Sequence, residues 1–216
     1  MGSTNDGDAA TQLRELAELA AVVAGSGLAR DLEEVAALAV AALRERHCLF
    51  FCGNGGSAAD AQHLATEYVV RFRRERRALA AVALTTDSSL LTAAGNDYGF
   101  DTIFARQVEA LGRSGDVLFL HSTSGESENL LRAADTARGL GMQTVAFLAK
   151  GGGRLKDRVD RALVVPTSTT SHAQEMHLAM GHVVCELVDR ALAGDVAQLD
   201  PPPVHSPVLP MPEHRV

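Results

Sequence analysis

The chain has 216 residues, 46% of them hydrophobic and 22% charged, which is typical of a globular domain with a sizeable core. A net charge of −7 argues against nucleic-acid binding as the main function, because phosphate contacts need a basic surface. The sequence has no apolar run near the roughly 18 residues that span a bilayer, and its polar start, MGSTNDGD, does not resemble a signal peptide. Cys48, Cys52 and Cys185 match no disulfide or metal-site spacing, so we expect reduced thiols in a cytoplasmic protein.

Helices and short apolar strands alternate along most of the chain. Two helices rich in Ala, Leu and Glu are predicted first, over 9–24 and 28–46, after a disordered segment at 1–8. The remaining predicted elements are, in chain order, a strand at 48–52, a helix at 57–71, a strand at 79–84, helices at 88–95 and 101–112, a strand at 116–121, a helix at 127–140, strands at 143–148 and 161–166, and a helix at 171–193. Six of the seven prolines fall within 201–212, so 199–216 is expected to be an extended tail outside a domain that covers 9–198.

This order of elements predicts an α/β fold. Short apolar strands alternating with helices indicate a parallel sheet covered on both faces, so we expect a three-layer αβα sandwich with five parallel strands, flavodoxin-like. Ligands of such sheets bind beyond the carboxyl ends of the strands. The stretches that begin at Cys48 and Asp116 share one plan: a strand, a loop of small polar residues and a helix. Their two loops should therefore open at the same edge of the sheet.

The first loop is Gly53-Asn54-Gly55-Gly56-Ser57. Its glycines let the backbone turn tightly, and the helix that follows offers free N–H groups, so the loop suits a phosphate group. A tight turn without a ligand is one alternative. A dinucleotide site is another, since Gly53-x-Gly55-x-x-Ala58 fits that fingerprint loosely, but no convincing acidic residue follows about 20 residues later.

The second loop is Ser122-Thr123-Ser124-Gly125-Glu126-Ser127. One serine is enough to cap a helix, and four hydroxyls exceed that need. Hydroxyls together with backbone N–H groups favour a phosphate cradle. A capped turn with spare polar groups is the alternative.

His63 and Glu67 are four residues apart on a predicted helix and so share a face. Gln174 and His182 lie on the last helix, where His177 points about 140° away from His182 and is left out. Two histidines, a glutamate and a glutamine could bind Zn²⁺, and a glutamate and a histidine could equally move protons on a sugar. The alternative for His63 and Glu67 is a solvated or structural pair.

One stretch of the sequence is strongly basic. We expect it to form a solvated helix end and loop, with a subunit interface as the alternative, and nucleic acid is not expected to bind it because the chain as a whole is acidic. The stretch consists of Arg71, Arg73, Arg74, Arg76 and Arg77.

Four stretches resemble the bacterial phosphoheptose isomerases, a family of SIS (sugar isomerase) proteins: CGNGGSAADAQHLATE from Cys52, GNDYGF at 95–100, STSGES at 122–127 and AQEMHLAMGH at 173–182. The resemblance covers roughly residues 10–193, with the motifs in the same order. It implies a five-stranded parallel αβα sandwich and a homotetramer with active sites at subunit interfaces. It also implies conversion of D-sedoheptulose 7-phosphate to D-glycero-D-manno-heptose 7-phosphate, the first step towards nucleotide-activated heptose.

The resemblance further implies roles for individual residues. Glu67 would be the general base and His182 the general acid. Some family members bind zinc, at positions that match His63, Glu67, Gln174 and His182, although a glutamate and a histidine bound to zinc are not free to transfer protons. The residues that would bind the sugar phosphate are Asn54, Gly55, Gly56, Ser57, Asp97, Ser122, Thr123, Ser124, Ser127 and Gln174.

Glu126 departs from the family pattern, which usually has asparagine there. A carboxylate beside a phosphate cradle repels the phosphate unless the side chain turns away or pairs with a cation. Two other functions stay open at this stage. Non-catalytic SIS relatives bind a replication-initiator protein and tend to lose the histidine found here at position 182, and a third possibility is a sensor of sugar phosphates.

Overall fold

The computed structural model describes residues 8–193. Its α-helices within that range are α1 Ala9–Ala24, α2 Leu28–Arg44, α3 Gly56–Val69, α4 Ser88–Tyr98, α5 Ile103–Leu111, α6 Glu128–Gly139 and α7 Thr170–Leu192. The strands within it are β1 Leu49–Gly53, β2 Ala81–Ala83, β3 Val117–Ser122, β4 Gln143–Leu148 and β5 Arg161–Val164. The predictions for 1–7 and for the tail at 199–216 lie outside the described residues, and Asp8 is the N-cap residue of α1.

The five strands of the described chain form one parallel sheet in the order β2-β1-β3-β4-β5. This is the flavodoxin-like strand order, so the predicted fold class is confirmed. The predicted elements are present, with ends that differ by a few residues. Strand β2, predicted at 79–84, is three residues long, and α4, predicted to end at position 95, ends at 98. As the edge strand, β2 pairs only with β1, and Val82 is partly exposed.

Alternate residues of each strand enter two separate cores. Phe51, Phe119 and Phe147 point to the face covered by α2, α3 and α7, where α1 packs on the outside. Leu118 and Leu120 point to the other face, which α4, α5 and α6 cover. Both faces of the sheet are therefore buried, which explains why the strands read as continuous apolar runs. Within residues 8–193, the helices are too short or too polar to cross a membrane.

Helices α3 and α7 run side by side in the same direction. Gly56 contacts Gln174 near the start of both helices, and Leu64 contacts Gly181 two turns further along. A Cβ atom at position 181 would lie only 2.6 Å from the Leu64 side chain, so glycine is needed there for the helices to approach closely. The approach brings residues of the two helices that are more than 100 positions apart onto one surface.

A buried ion pair fixes the end of α3 to α7. The Nε atom of Arg76 donates to Oδ1 of Asp189 over 2.6 Å, and both side chains are almost fully buried. The same guanidinium donates to the carbonyl oxygens of Glu67 and Tyr68, the last turn of α3. The prediction that the arginine stretch is a solvated loop is therefore wrong for Arg76, because the open carbonyls of α3 and the carboxylate of Asp189 offer it a complete set of partners.

The second oxygen of Asp189 accepts hydrogen bonds from the backbone N–H groups of Arg73 and Arg74. Burial alone would raise the pKa of Asp189, but these bonds and the Arg76 guanidinium bring it below its usual value. The other arginines lie nearer the surface, where Arg71 pairs with Glu75 and Arg74 with Glu186. The segment after α3 is thus wrapped around one buried carboxylate.

Two buried histidines, one on β3 and one on α7, lie in the core between the sheet and α7. The His121 ring stacks on Phe147, with 4.9 Å between ring centroids, and its two nitrogens have no hydrogen-bond partner among the described residues. Burial lowers the pKa of His121 to about 3, helped by His177, and lowers that of His177 to about 4. His177 thus faces the core, as its helical angle from His182 predicts.

Removing one partner of the buried ion pair should unfold the protein more easily. We expect Arg76→Met to lower the free energy of unfolding by about 3–5 kcal/mol, because it leaves the Asp189 carboxylate buried and uncompensated. Urea unfolding at pH 7.5 measures the effect. The control is Arg161→Met, which breaks a partly exposed pair with Glu34 and should cost less than about 1 kcal/mol. Equal losses in both variants would contradict a special role for the buried pair.

The buried histidines should make stability depend on pH. Because their folded pKa values lie below the ordinary value of about 6.5, the unfolded chain binds more protons below that pH, and each histidine removes up to about 1.4 kcal/mol of stability per pH unit between about pH 6.5 and 4. Burial raises the pKa of Asp60 to about 6, so protonation of Asp60 adds stability as the pH falls through this range and opposes the effect of the histidines. The prediction therefore compares the pH dependence of a variant with that of the wild type. We expect the unfolding free energy of His121→Leu to fall less steeply with decreasing pH than that of the wild type. Replacing the partly exposed His172 by Leu serves as the control, and parallel pH curves for His121→Leu and the wild type would refute the prediction.

Candidate active site

The two polar loops meet at one edge of the sheet, as predicted. Gly53 at the end of β1 pairs in register with His121 near the end of β3, so the loops leave neighbouring strands at the same level. The carboxamides of Asn54 and Asn129 exchange two hydrogen bonds, of 3.0 and 2.9 Å, and thereby link the first loop to the first turn of α6. Asn54 was predicted to line the sugar, and here its side chain is held by Asn129. Sequence reasoning missed Asn129, because its partner lies 75 positions away.

The first loop leads directly into the N-terminus of α3. Gly55 has a φ angle of +58°, a conformation that glycine adopts without strain. Gly56 packs against Gln174, and the Ser57 side chain is buried at the first turn of the helix. Three N–H groups of this turn already donate to carbonyl oxygens of the loop, but the positive end of the helix dipole faces the loop, which is an arrangement that can bind an anion.

The second loop folds around its own hydroxyl groups. Oγ of Ser122 accepts a hydrogen bond from the Gly125 N–H, and Oγ of Ser124 accepts one from the Glu126 N–H. Ser127 is the N-cap residue of α6, but its hydroxyl makes no capping bond to the helix and so is available to a ligand. Thr123 is half-buried beside these serines. The structure therefore brings four predicted hydroxyl residues together at a helix N-terminus.

Glu126 pairs with a cation, which is one of the two solutions expected from the sequence. Its Oε2 accepts a hydrogen bond from Nε of Arg154 over 2.8 Å, and its Oε1 accepts one from the Arg154 backbone N–H over 3.0 Å. The pKa of the Glu126 carboxyl lies below its usual range because Arg154 donates these bonds. Arg154 lies on the segment Gly153–Arg158, a 3-10 helix between β4 and β5.

His63, Glu67 and His182 form one cluster between α3 and α7. Nε2 of His63 lies 2.8 Å from Nε2 of His182 and 3.4 Å from Oε1 of Glu67. One ligand atom from each residue lies within 4.8 Å of the other two. The imidazoles and the carboxylate are donors that zinc accepts, and three protein ligands leave a position open for substrate or water. Without a metal, the same contacts form a path for protons.

The surroundings of His182 favour its neutral form. Burial lowers the pKa of His182 and the neighbouring His63 lowers it further, while Glu67 opposes the shift. The Phe72 ring stacks on the imidazole, with 5.4 Å between ring centroids, and fixes its orientation. A neutral imidazole can bind a metal or accept a proton.

Asp60 is a further acidic residue near this cluster that sequence reasoning missed. It lies three residues before His63 on the same stripe of α3 as Glu67, between the first loop and the cluster. The side chain is buried, and its Oδ2 has no hydrogen-bond partner among the described residues. The spacing Asp60, His63, Glu67 is the signal that could have identified it.

Two predicted residues lie apart from the cluster within the chain. The Gln174 carboxamide packs against Gly56 at the start of α3, and His63 follows seven residues later, about 10 Å along the helix axis. Asp97 lies exposed on α4, where it accepts a hydrogen bond from Asn96. Helix α4 packs against α5 on the opposite side of the sheet from α7.

Comparison with known proteins identifies the family. The SIS domain family model matches residues 13–149. A phosphoheptose isomerase from Nitratiruptor sp. is 55% identical over 154 residues, which are 71% of this chain and 82% of the relative. The structure of a phosphoheptose isomerase from Francisella tularensis superposes with a TM-score of 0.81 at 34% identity, covering 88% of this chain and all of that one. The phosphoheptose isomerase from Neisseria gonorrhoeae gives a TM-score of 0.78 at 39% identity, covering 84% and 96% of the two chains. The chain therefore belongs to the phosphoheptose isomerase family of SIS-domain enzymes.

Proposed function

We propose that this enzyme converts D-sedoheptulose 7-phosphate to D-glycero-D-manno-heptose 7-phosphate, the first step towards nucleotide-activated heptose. The observation that carries the proposal is the position of the His63, Glu67 and His182 cluster relative to the phosphate loops. His63 lies about 10 Å along α3 from the helix start. An extended seven-carbon chain with bonds of about 1.5 Å and a terminal phosphate spans roughly the same distance. A phosphate held by the loops would therefore place C1 and C2 at the cluster.

The phosphate is assigned to the two loops. The hydroxyls of Ser122, Thr123, Ser124 and Ser127 and the N-termini of α3 and α6 supply donors, and Ser57 lies at the first of these termini. Asn54, Gly55 and Gly56 belong to the first of these loops and are assigned to the same phosphate. This arrangement binds the end of the substrate that does not react, and so orients the other end.

The residues of the cluster have the groups that the isomerisation requires. Glu67 removes a proton from C1 while His182, in its protonated form, gives a proton to the C2 oxygen, which yields a 1,2-enediol and neutral His182. His182 then takes the proton of the C1 hydroxyl, and Glu67 returns its proton to C2, so that an aldehyde forms at C1. A positioned carboxylate and imidazole are well suited to these transfers.

The same cluster fits zinc. His63, Glu67 and His182 would hold the ion, which when bound would polarise a substrate oxygen as a Lewis acid. Gln174 lies near the start of α3 within its own chain, so we assign it to the ligand set only if it comes from a second copy. Glu67 and His182 would then bind the metal at rest and transfer protons only when substrate displaces them.

A homotetramer is proposed as the assembled enzyme. Leu13 and Val22 of α1 are 69% and 55% exposed, and Val183 of α7 is 46% exposed. Apolar residues of α1, α2 and α7 also line an open groove. Contact between copies would cover these surfaces and bring residues such as Gln174 and Asp97 towards a neighbouring cluster. The phosphorylated substrate and the free thiols fit a cytoplasmic enzyme.

Replacing the base without changing its size tests the mechanism. We expect Glu67→Gln to lower kcat for isomerisation of D-sedoheptulose 7-phosphate by about 10²–10⁴-fold, with little change in affinity for inorganic phosphate, because the loops supply that affinity. His182→Asn should also lower kcat with a modest effect on binding. The control is Glu109→Gln, the same change at an exposed position on α5. Full activity in folded Glu67→Gln would refute the role of Glu67 and favour a sensor or protein-binding function.

The same three proteins, wild type, Glu67→Gln and His182→Asn, are assayed with and without a chelator. Loss of wild-type activity on chelation and its recovery with added Zn²⁺ would establish the metal as essential. Unchanged activity in the chelated wild type would assign the proton transfers to Glu67 and His182 alone.

The exposed apolar residues predict the assembly state. We expect a mass of four chains in light scattering at micromolar concentration, and Leu13→Glu with Val22→Glu should give smaller species, because the charges would be buried at the interface. A monomeric mass for the wild type would contradict the tetramer and an active site shared between chains.

A further inference from the structure

The second phosphate loop carries an unusual charge. Glu126 lies between Ser124 and Ser127, whose groups are assigned to the phosphate, and Glu128 follows in the first turn of α6. Two carboxylates beside a bound dianion would weaken its binding. The chain therefore needs a positive charge at this position if the loop is to hold a phosphate.

Arg154 supplies that charge through four contacts with the loop and its helix. Its Nε and its backbone N–H bind the two carboxylate oxygens of Glu126, and its Nη2 donates to the Glu126 carbonyl oxygen over 3.1 Å. Its Nη1 lies 3.4 Å from Oε2 of Glu128. One guanidinium thus neutralises the Glu126 side chain and binds the loop backbone.

The backbone around this pair is closely packed. Gly125 has a φ angle of +66°, and a Cβ atom on it would overlap the carbonyl of Gly152. A Cβ atom at position 153 would likewise overlap the Ser124 carbonyl oxygen. The loop after β4, which contains Gly152 and Gly153, therefore packs directly against the loop at 122–127 and places Arg154 beside it.

We infer that Arg154 determines the phosphate affinity of this site by neutralising the Glu126 carboxylate. This inference rests on the proposed function, since it assumes that the loop at 122–127 holds the substrate phosphate. Arg154 acts through the Glu126 carboxylate and does not itself touch the substrate, so it is a positioning residue. Its loss should affect phosphate binding far more than the chemical step at Glu67.

A double-mutant cycle tests the charge balance. The proteins are wild type, Arg154→Ala, Glu126→Asn and the double variant, each measured for KM and kcat with D-sedoheptulose 7-phosphate and for affinity to inorganic phosphate by calorimetry. We expect Arg154→Ala to weaken phosphate affinity and raise KM by about fivefold to tenfold, with kcat nearly unchanged, because Glu126 is left unpaired beside the dianion. Glu126→Asn and the double variant should stay within about threefold of the wild type, because both lack the repelling carboxylate.

Arg158→Ala is the matched control. Arg158 lies on the same 3-10 segment and pairs with Asp135 on α6, away from the loop, with similar exposure to Arg154. It should leave phosphate affinity unchanged. The loss in Arg154→Ala should also shrink at 0.5 M NaCl, where exposed charges are screened.

Each outcome is decisive. Unchanged affinity in Arg154→Ala, or a double variant as weak as Arg154→Ala, would overturn the inference, as would a fall in kcat at constant KM. A wild-type protein that neither binds phosphate nor converts the heptulose phosphate would instead overturn the proposed function.

Discussion

The buried ion pair between Arg76 and Asp189 holds together the two helices on which the active site depends. Arg76 binds the last carbonyls of α3, including that of Glu67 itself, and Asp189 lies on α7 two turns after His182. A shift of either helix along its axis would separate His63 from His182, whose nitrogens are only 2.8 Å apart. The close contact of Gly181 with Leu64 fixes the same register from the middle of the helices. Polar and apolar contacts therefore impose one geometry on the cluster.

The parallel sheet explains how this cluster comes to lie beyond the two polar loops. Loops after β1 and β3 leave neighbouring strands at one edge, and each continues into a helix whose N-terminus points at that edge. Helix α3 begins at the first loop and carries His63 and Glu67 further along. The length of α3 thus sets the distance between the polar loops and the cluster. The charges at the loops are balanced locally, by helix ends and by Arg154.

Much of the fold follows from the sequence because its signals are local. The apolar strands, the glycine and serine loops and the four-residue spacing of His63 and Glu67 all lie within short windows. Arg76, Asn129 and Arg154 could not be assigned in this way, because their partners are 113, 75 and 28 positions distant. An arginine among five in a polar stretch looks solvated until the carboxylate that it meets is known. Asp60 has a local signal, but only the burial of its side chain distinguishes it from a surface acid.

The residues assigned to phosphate binding and those assigned to proton transfer are unevenly distributed along the chain. Both polar loops, with His63 and Glu67, lie inside residues 13–149, the part that the SIS domain model matches, whereas His182 lies beyond it on the last helix. Helix α7 packs against the core along its whole length, but His182 lies on its less buried face. Substitutions confined to that face would remove the proposed acid and leave the buried side of the helix and the polar loops unchanged. In the proposed mechanism, a change on this one helix would therefore separate recognition of the phosphorylated sugar from its conversion.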